Sequence, residues 1–289
     1  MPTAQAEQTE LLQPKPTSSA KSHRFRLTKA NYYSNDANDR YMSFSLYKKF
    51  QACEAEAMAE LRGEWTPKRD LTPLLVGNYL HSYFEGPKAH QRFIDEHPEI
   101  ISTRGASKGK LKKDFVVAED MINALDGDPE FRRLYKGRKE MIVKGELNGV
   151  KWMGKLDCLR PDHGMILDLK TAVDLHKKFW LTDDGRWGNF IEARGYITQM
   201  AIYQELTNQR FGIRPNVVIV GVTKQSPPDK AAIPIDQYAM NYALDDVINT
   251  QERIQALRDG TEEPTRCEQC DYCRSTKHLE VVSLDSLID

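Results

Sequence analysis

Two aspartates and a lysine carry the most pointed chemistry in this chain. Asp168 and Lys170 stand two apart in the short apolar run Met165-Ile-Leu-Asp-Leu-Lys170, and Asp157 precedes Asp168 by ten intervening residues, late in an alternating stretch. Residues two apart on a strand share a face, so Asp168 and Lys170 point the same way, and an adjacent strand would bring Asp157 beside them. Two carboxylates that close repel, and one is pushed toward protonation unless a divalent cation lies between them. Mg²⁺ or Mn²⁺ suits such a place, because it takes oxygen ligands, keeps several waters and bridges to phosphate. Lys170 would orient or help deprotonate the attacking water and screen charge developing on phosphorus. The chemistry implied is phosphodiester hydrolysis. A surface ion pair on an edge strand accounts for the triplet alone equally well.

The second group is Cys267-Glu-Gln-Cys270-Asp-Tyr-Cys273, three of the five cysteines at two-residue intervals. Three thiols so spaced surround one point, and C-x₂-C-x₂-C is a spacing that iron–sulfur proteins use. The fourth ligand must come from elsewhere. Zinc is the rival, held by these three with Cys53, or locally with His278, in a closed tetrahedral site. Cys53 as a plain core residue is the simplest alternative. Cys158 follows Asp157 on its strand, points to the opposite face and is assigned to the core.

Which elements position these groups? At 289 residues with 40% hydrophobic content, the chain can build one elaborated domain. Its charges nearly cancel to −1, so any contact with DNA must be local rather than a global field. No stretch approaches eighteen consecutive apolar residues and the start does not read as a signal peptide, which predicts a soluble cytoplasmic protein with no membrane contact. Residues 1–23 lack apolar periodicity and are expected to be a disordered tail, with residues 24–289 as the single domain and 260–280 as its cysteine tail. Helical spacing predicts a helix from a Ser45 cap through Leu46, Phe50, Cys53, Ala57 and Leu61 to Gly63, then helices over Leu74–Glu85 and Lys113–Leu125. Alternation predicts strands over Glu140–Leu147 and Val150–Leu159, joined by Asn148-Gly149, the preferred pair of a type I′ turn. A turn at Pro161-Asp-His-Gly164 leads to the strand of Asp168 and Lys170. A helix over Ile191–Arg210, a buried strand over Asn216–Val222 and a helix over Asp236–Asp259 complete a mixed α/β sheet. Glu146 could approach a metal from the first strand, and the runs Lys108–Lys113 and Lys136–Lys139 could grip phosphates at the mouth of the site.

Taken together, Gly154-Lys-Leu-Asp157, Asp168-Leu-Lys170 and Gln199-Met-Ala-Ile-Tyr203 resemble the motifs of PD-(D/E)XK nucleases of the RecB and RecE type. The likeness runs from Ser43-Phe-Ser45-Leu-Tyr-Lys-Lys-Phe50 to the cysteine tail and is nearest to phage exonuclease VIII-like proteins. It implies an α/β restriction-endonuclease-like core, a mixed central sheet flanked by helices with a helical N-terminal region. It also implies a catalytic set of Asp157, Asp168, Lys170, His81, Gln199 and Tyr203. The metal would be held by His81, Asp157, Asp168 and Leu169, with His81 read from Gly77-Asn-Tyr-Leu-His81. In the iron–sulfur relatives of RecB nucleases, such as AddB, a cysteine placed like Cys53 joins three near the C-terminus. This resemblance implies a [4Fe–4S] cluster on Cys53, Cys267, Cys270 and Cys273, although the gap before the last cysteine is narrower here. The activity implied is a Mg²⁺-dependent exonuclease, 5′ to 3′, acting on double-stranded DNA ends and leaving tails for a single-strand annealing, RecT-like partner. A ring of subunits and a phage-encoded origin in a bacterial host follow from the same likeness. An endonuclease, a nuclease subunit of a helicase complex and a non-catalytic DNA-binding cluster protein are the other readings.

Overall fold

The computed structural model describes residues 25–284 except Arg69 and Asp183; the tail expected over residues 1–23 lies outside them. Asn148 and Gly149 both take positive φ, 45° and 81°, as a type I′ turn demands. They fold strand β1 (Arg138–Leu147) back onto β2 (Val150–Arg160), pairing Leu147 with Val150 and Lys139 with Cys158. The turn at 161–164 closes on a left-handed Gly164 and delivers β3 (Met165–Ala172) antiparallel to β2. That pairing lasts for only three residue pairs, from Arg160 with Met165 to Cys158 with Leu167. Beyond it the two strands part, and Asp157 and Asp168 are the next residues at the fork.

After β3 comes a separate small hairpin, β4 (Phe179–Leu181) and β5 (Arg186–Gly188), which the periodicity did not predict. Strand β6 (Asn216–Thr223) then pairs parallel to β3 along its whole length, and an unpredicted β7 (Lys230–Pro234) closes the edge. The sheet order is β1-β2-β3-β6-β7, a mixed sheet.

The helices in chain order are α1 (Asn35–Arg40), α2 (Phe44–Ala52), α3 (Glu54–Leu61), α4 (Thr72–Glu85), α5 (Pro87–Glu96), α6 (Lys113–Asp126), α7 (Pro129–Leu134), α8 (Phe190–Ala193), α9 (Tyr196–Phe211), α10 (Gln237–Arg258) and α11 (Asp271–Ser275). One layer, α2, α9 and α10, packs Phe50, Met200, Leu206, Val247 and Ile254 with Leu156, Ile166 and Ile219 of the sheet. The opposite layer, α4, α6 and α7, packs Leu80, Met121, Leu125 and Phe131 with Cys158, Leu167, Leu169 and Val222. Each such side chain stabilises the fold by about 1.5–3 kcal/mol, so the sheet that holds the aspartates is clamped from both faces. Among the described residues no helix is long and apolar enough to cross a membrane.

Two expectations are corrected. The helix expected from Ser45 to Gly63 is two helices: Ser43, not Ser45, caps α2 through Leu46 N–H, and Cys53 breaks the run in extended backbone. The break persists because the Cys53 sulfur itself caps α3, accepting the Glu56 N–H at 3.5 Å. The helix expected over 191–210 is likewise split, by Gly195 at φ 68°. Helix α4 ends at Glu85 as expected, and Pro87 opens the unpredicted α5 at once, its missing N–H costing nothing at a first helical position.

Candidate active site

At the fork, Asp157 Oδ2 accepts the Leu169 N–H at 2.8 Å, filling the place of the strand-to-strand bond that splaying removes. Lys170 Nζ lies 2.7 Å from Asp168 Oδ2 and 4.6 Å over the Tyr196 ring. Helix α4 brings His81, whose Nδ1 is 3.4 Å from Asp157 Oδ2. Strand β1 brings Glu140, which falls opposite Asp157 between the pairs Lys139–Cys158 and Met141–Leu156. Ligand-capable atoms of His81, Glu140 and Asp157 lie within 4.8 Å of one another. Gln199 and Tyr203, one turn apart on α9, wall the same cleft, with Gln199 Nε2 donating to the Tyr203 hydroxyl at 3.0 Å. Tyr203 can lie there because position 154 has no side chain: a Cβ on Gly154 would come within 2.7 Å of the ring.

Burial dominates the electrostatics. It pushes Asp157 up to about 6, against the pull of Lys170 and with help from Glu140. It pushes Asp168 up to about 6 as well, again opposed by Lys170 and reinforced by Asp157. For Lys170 burial acts downward, but Asp168 and Asp157 outweigh it and the ammonium ends above its usual range. Burial, then Lys170, hold His81 below the usual imidazole value, so it is neutral and keeps a lone pair for a metal.

Do these residues fit a divalent cation? Asp168 Oδ2 is buried and lacks a directed hydrogen bond, because the Lys170 ammonium beside it is close but poorly aligned. Gln199 Oε1 is buried without a donor too. Acceptors left unsatisfied in a cleft of carboxylates and a neutral imidazole are what a hard cation would satisfy. The donor set fits.

Of the residues singled out from the sequence, Asp157, Asp168, Lys170, His81, Gln199 and Tyr203 line one cleft. Leu169 borders it through its backbone: its amide is bound to Asp157 and its side chain is core, so only its carbonyl is left for a metal. Glu146 is not there. It pairs with Lys151 near the hairpin turn, and its backbone is bound by the Gln209 side chain. Neither basic run lines the cleft, and Lys139 instead folds over the Tyr135 ring at 3.2 Å. Besides Lys170, the cations in the wall are Lys155 and Arg92. Glu140 and Lys155 were missed, although a two-residue turn at 148–149 fixes the register that sets Glu140 opposite Asp157.

A family model described as a PDDEXK-like domain of unknown function (DUF3799) matches residues 43–276. The chain belongs to this family. A solved structure from Eubacterium rectale described as "Putative exonuclease" is 37% identical, with a TM-score of 0.84 over 92% of this chain and 99% of that one. A second, of SSO0001, shares 16% identity and a TM-score of 0.29 over 72% of this chain and 95% of that one, too little to carry an argument. No curated protein matches. As a PDDEXK-like domain with its acidic and basic positions filled, the chain is a nuclease, an enzyme class that works with divalent metals.

This PDDEXK-like chain carries a second centre. The sulfurs of Cys53, Cys267, Cys270 and Cys273 lie within 4.8 Å of one another, with Cys53 Sγ 3.6 Å and Cys267 Sγ 3.9 Å from Cys273 Sγ. The Cys270 N–H points at Cys267 Sγ and the Cys273 N–H at Cys270 Sγ. Backbone donors, that of Gln269 foremost, lower Cys267 to about 7, toward the thiolate a metal needs. Glu54 fastens the tail beside them, taking a two-pronged bond from Arg253 and the Thr265 N–H at 2.7 Å. His278 is exposed and outside the group. Cys158 is fully buried in the layer of Leu167 and Leu169.

Proposed function

We propose that the chain is a Mg²⁺-dependent DNA exonuclease that degrades one strand from the ends of linear duplex DNA. The observation that carries this reading is the convergence of Asp157, Asp168, Lys170 and His81 at the fork of β2 and β3. Attack from ends is favoured by the description of the 37% identical relative. The 5′ to 3′ direction, the RecT-like annealing partner, a ring of subunits and a phage-encoded origin rest on the resemblance to RecE-type enzymes.

His81, Asp157, Asp168 and the Leu169 carbonyl would hold the ion. When bound, it supplies Lewis-acid polarisation of a phosphate oxygen and a more acidic water. The Lys170 ammonium, steadied by Asp168 and seated on Tyr196, orients the attacking water and answers charge on the phosphoryl oxygens. Neutral His81 would offer the ion a lone pair rather than a proton. Gln199 and Tyr203 form a hydrogen-bonded wall that holds the strand against Lys170.

The test compares end-labelled linear duplex with covalently closed duplex, with Mg²⁺ or chelator. Digestion of linear DNA alone, lost in chelator and in folded Asp157→Ala, Asp168→Ala and Lys170→Ala, is expected. Equal digestion of closed circles would make the enzyme an endonuclease; near-parental activity in any of the three variants would displace the site.

For the cysteine centre we propose the [4Fe–4S] cluster that the iron–sulfur relatives imply, which would require the sulfurs to spread. A single tetrahedral zinc, with Zn–S of about 2.3 Å, puts sulfurs roughly 3.8 Å apart and fits with little movement. Brown anaerobic protein with iron and sulfide supports the cluster; colourless protein with one zinc per chain replaces it.

A further inference from the structure

We infer that Glu140 is a further carboxylate ligand of the divalent site, held in reserve by Lys155. The inference rests on the metal-dependent nuclease reading above and adds a ligand to it. Three independent features of Glu140 point to a ligand.

The first is backbone strain. Glu140 has φ 51°, a left-handed conformation that β-strand residues other than glycine avoid, and the β1–β2 ladder is interrupted at that position alone. Strain of this kind persists only where surroundings impose it, and it collects at functional sites. The second is placement. The residue is 7% exposed, and its carboxylate reaches within the 4.8 Å that also holds His81 and Asp157. An undistorted strand would place a charged side chain there only at a desolvation cost that water would otherwise relieve. The third is charge. Five carboxylates, Glu85, Glu96, Glu140, Asp157 and Asp168, line the cleft with three cations, Arg92, Lys155 and Lys170, which leaves two negative charges over. A divalent ion would neutralise that excess and let a phosphodiester approach.

Lys155 Nζ lies 2.5 Å from Glu140 Oε2 and stands 5.1 Å from the Tyr33 ring and 6.0 Å from that of Tyr32. It balances Glu140 while the cation is absent. A bound ion would compete with it for the carboxylate, so Lys155 weakens the metal's hold while keeping the empty site folded. An ion pair built for structure alone accounts for neither the left-handed backbone nor the approach of His81.

The experiment measures Mn²⁺ binding to the DNA-free full chain by electron paramagnetic resonance and calorimetry, beside thermal unfolding in chelator. Glu140→Gln preserves shape and can still bond Lys155; it is expected to weaken Mn²⁺ at least tenfold without lowering the metal-free melting temperature. Lys155→Gln is expected to tighten Mn²⁺ several-fold. Parental affinity in Glu140→Gln, with affinity lost in Asp157→Asn, overturns this inference and leaves the nuclease reading standing. Equal weakening by Lys155→Gln and Glu140→Gln makes the pair structural and also overturns it. No Mn²⁺ binding by the parent chain removes both. Should Glu140→Gln fail to fold, the direction of the Lys155→Gln effect decides alone.

Discussion

At the scale of single residues, the aspartates are expensive to hold in the absence of a cation. Asp168 is 1% exposed and its ordinary carboxylate value is raised to about 6 by burial, as is that of Asp157. A carboxyl whose folded value is raised binds its proton more tightly when folded. Its stabilising contribution is therefore complete below the unfolded value near 4 and is lost as pH rises through about 6. In metal-free protein the two aspartates should accordingly contribute less stability at pH 7.5 than at pH 5. Asp168→Asn, measured in chelator, should flatten that dependence and stabilise the fold at pH 7.5 by on the order of 1–2 kcal/mol, while abolishing cleavage. A variant that melts below the parent at pH 7.5 would show that the carboxylate is paid for by its bond network. Strand alternation alone puts Asp168 and Lys170 on one face, but their grouping with Asp157 was legible only through the resemblance to PD-(D/E)XK motifs, because the triplet by itself fits a surface ion pair equally well. Glu140 was not, because its importance comes from a distorted φ that composition does not announce.

Elements were legible where their signals were local. Asn148-Gly149 sets the hairpin, and its register carries Gly154 beneath Tyr203 of a helix more than forty residues on. The breaks were not legible. Helical periodicity runs straight through Cys53 because α3 resumes the pattern after one extended residue, and only the sulfur's role as a cap reveals the interruption. The short edge strand β7 alternates over too few residues to stand out, and a Gly-Pro pair that stops α4 also starts α5. The motif glycine offers a direct test of how elements position the site. Gly154→Ala puts a methyl within 2.7 Å of the Tyr203 ring, which must tilt and drag the Gln199 bond with it. Overpacking of this kind costs about 1–3 kcal/mol. Cleavage should fall at least tenfold, with Mn²⁺ affinity within twofold of the parent because no metal ligand moves. An unchanged rate would mean that α9 does not position the strand.

On the scale of the whole molecule, the cysteine centre joins the two ends of the nuclease core. Cys53 and Cys273 are 220 residues apart in sequence, with their sulfurs 3.6 Å apart. One sits between α2 and α3, which share a hydrophobic cluster with Ile166 and Ile219 of the sheet; the other lies in α11 of the tail. A cross-link over a loop of that length restricts the unfolded chain by roughly 5 kcal/mol in the chain-entropy account, to the extent that the metal stays on its ligands only in the folded state. The three tail cysteines, by contrast, span seven positions, and linking them among themselves restrains almost nothing outside the tail. Losing Cys53 should therefore differ in kind from losing a local loop. Cys53→Ala removes both the long-range link and the cap that starts α3, so global unfolding should come several kcal/mol earlier, with hydrogen exchange rising in α2, α3 and the C-terminal end of α10 together. Metal content should drop with it. Arg253→Ala supplies the contrast, since it leaves Glu54 with only the Thr265 N–H and loosens the tail backbone but keeps four sulfurs in place; metal content should hold and the melting temperature fall by much less. If Cys53→Ala keeps its full metal and the parental melting temperature, the centre is a local clasp of the tail and the two ends of the core are joined by packing alone.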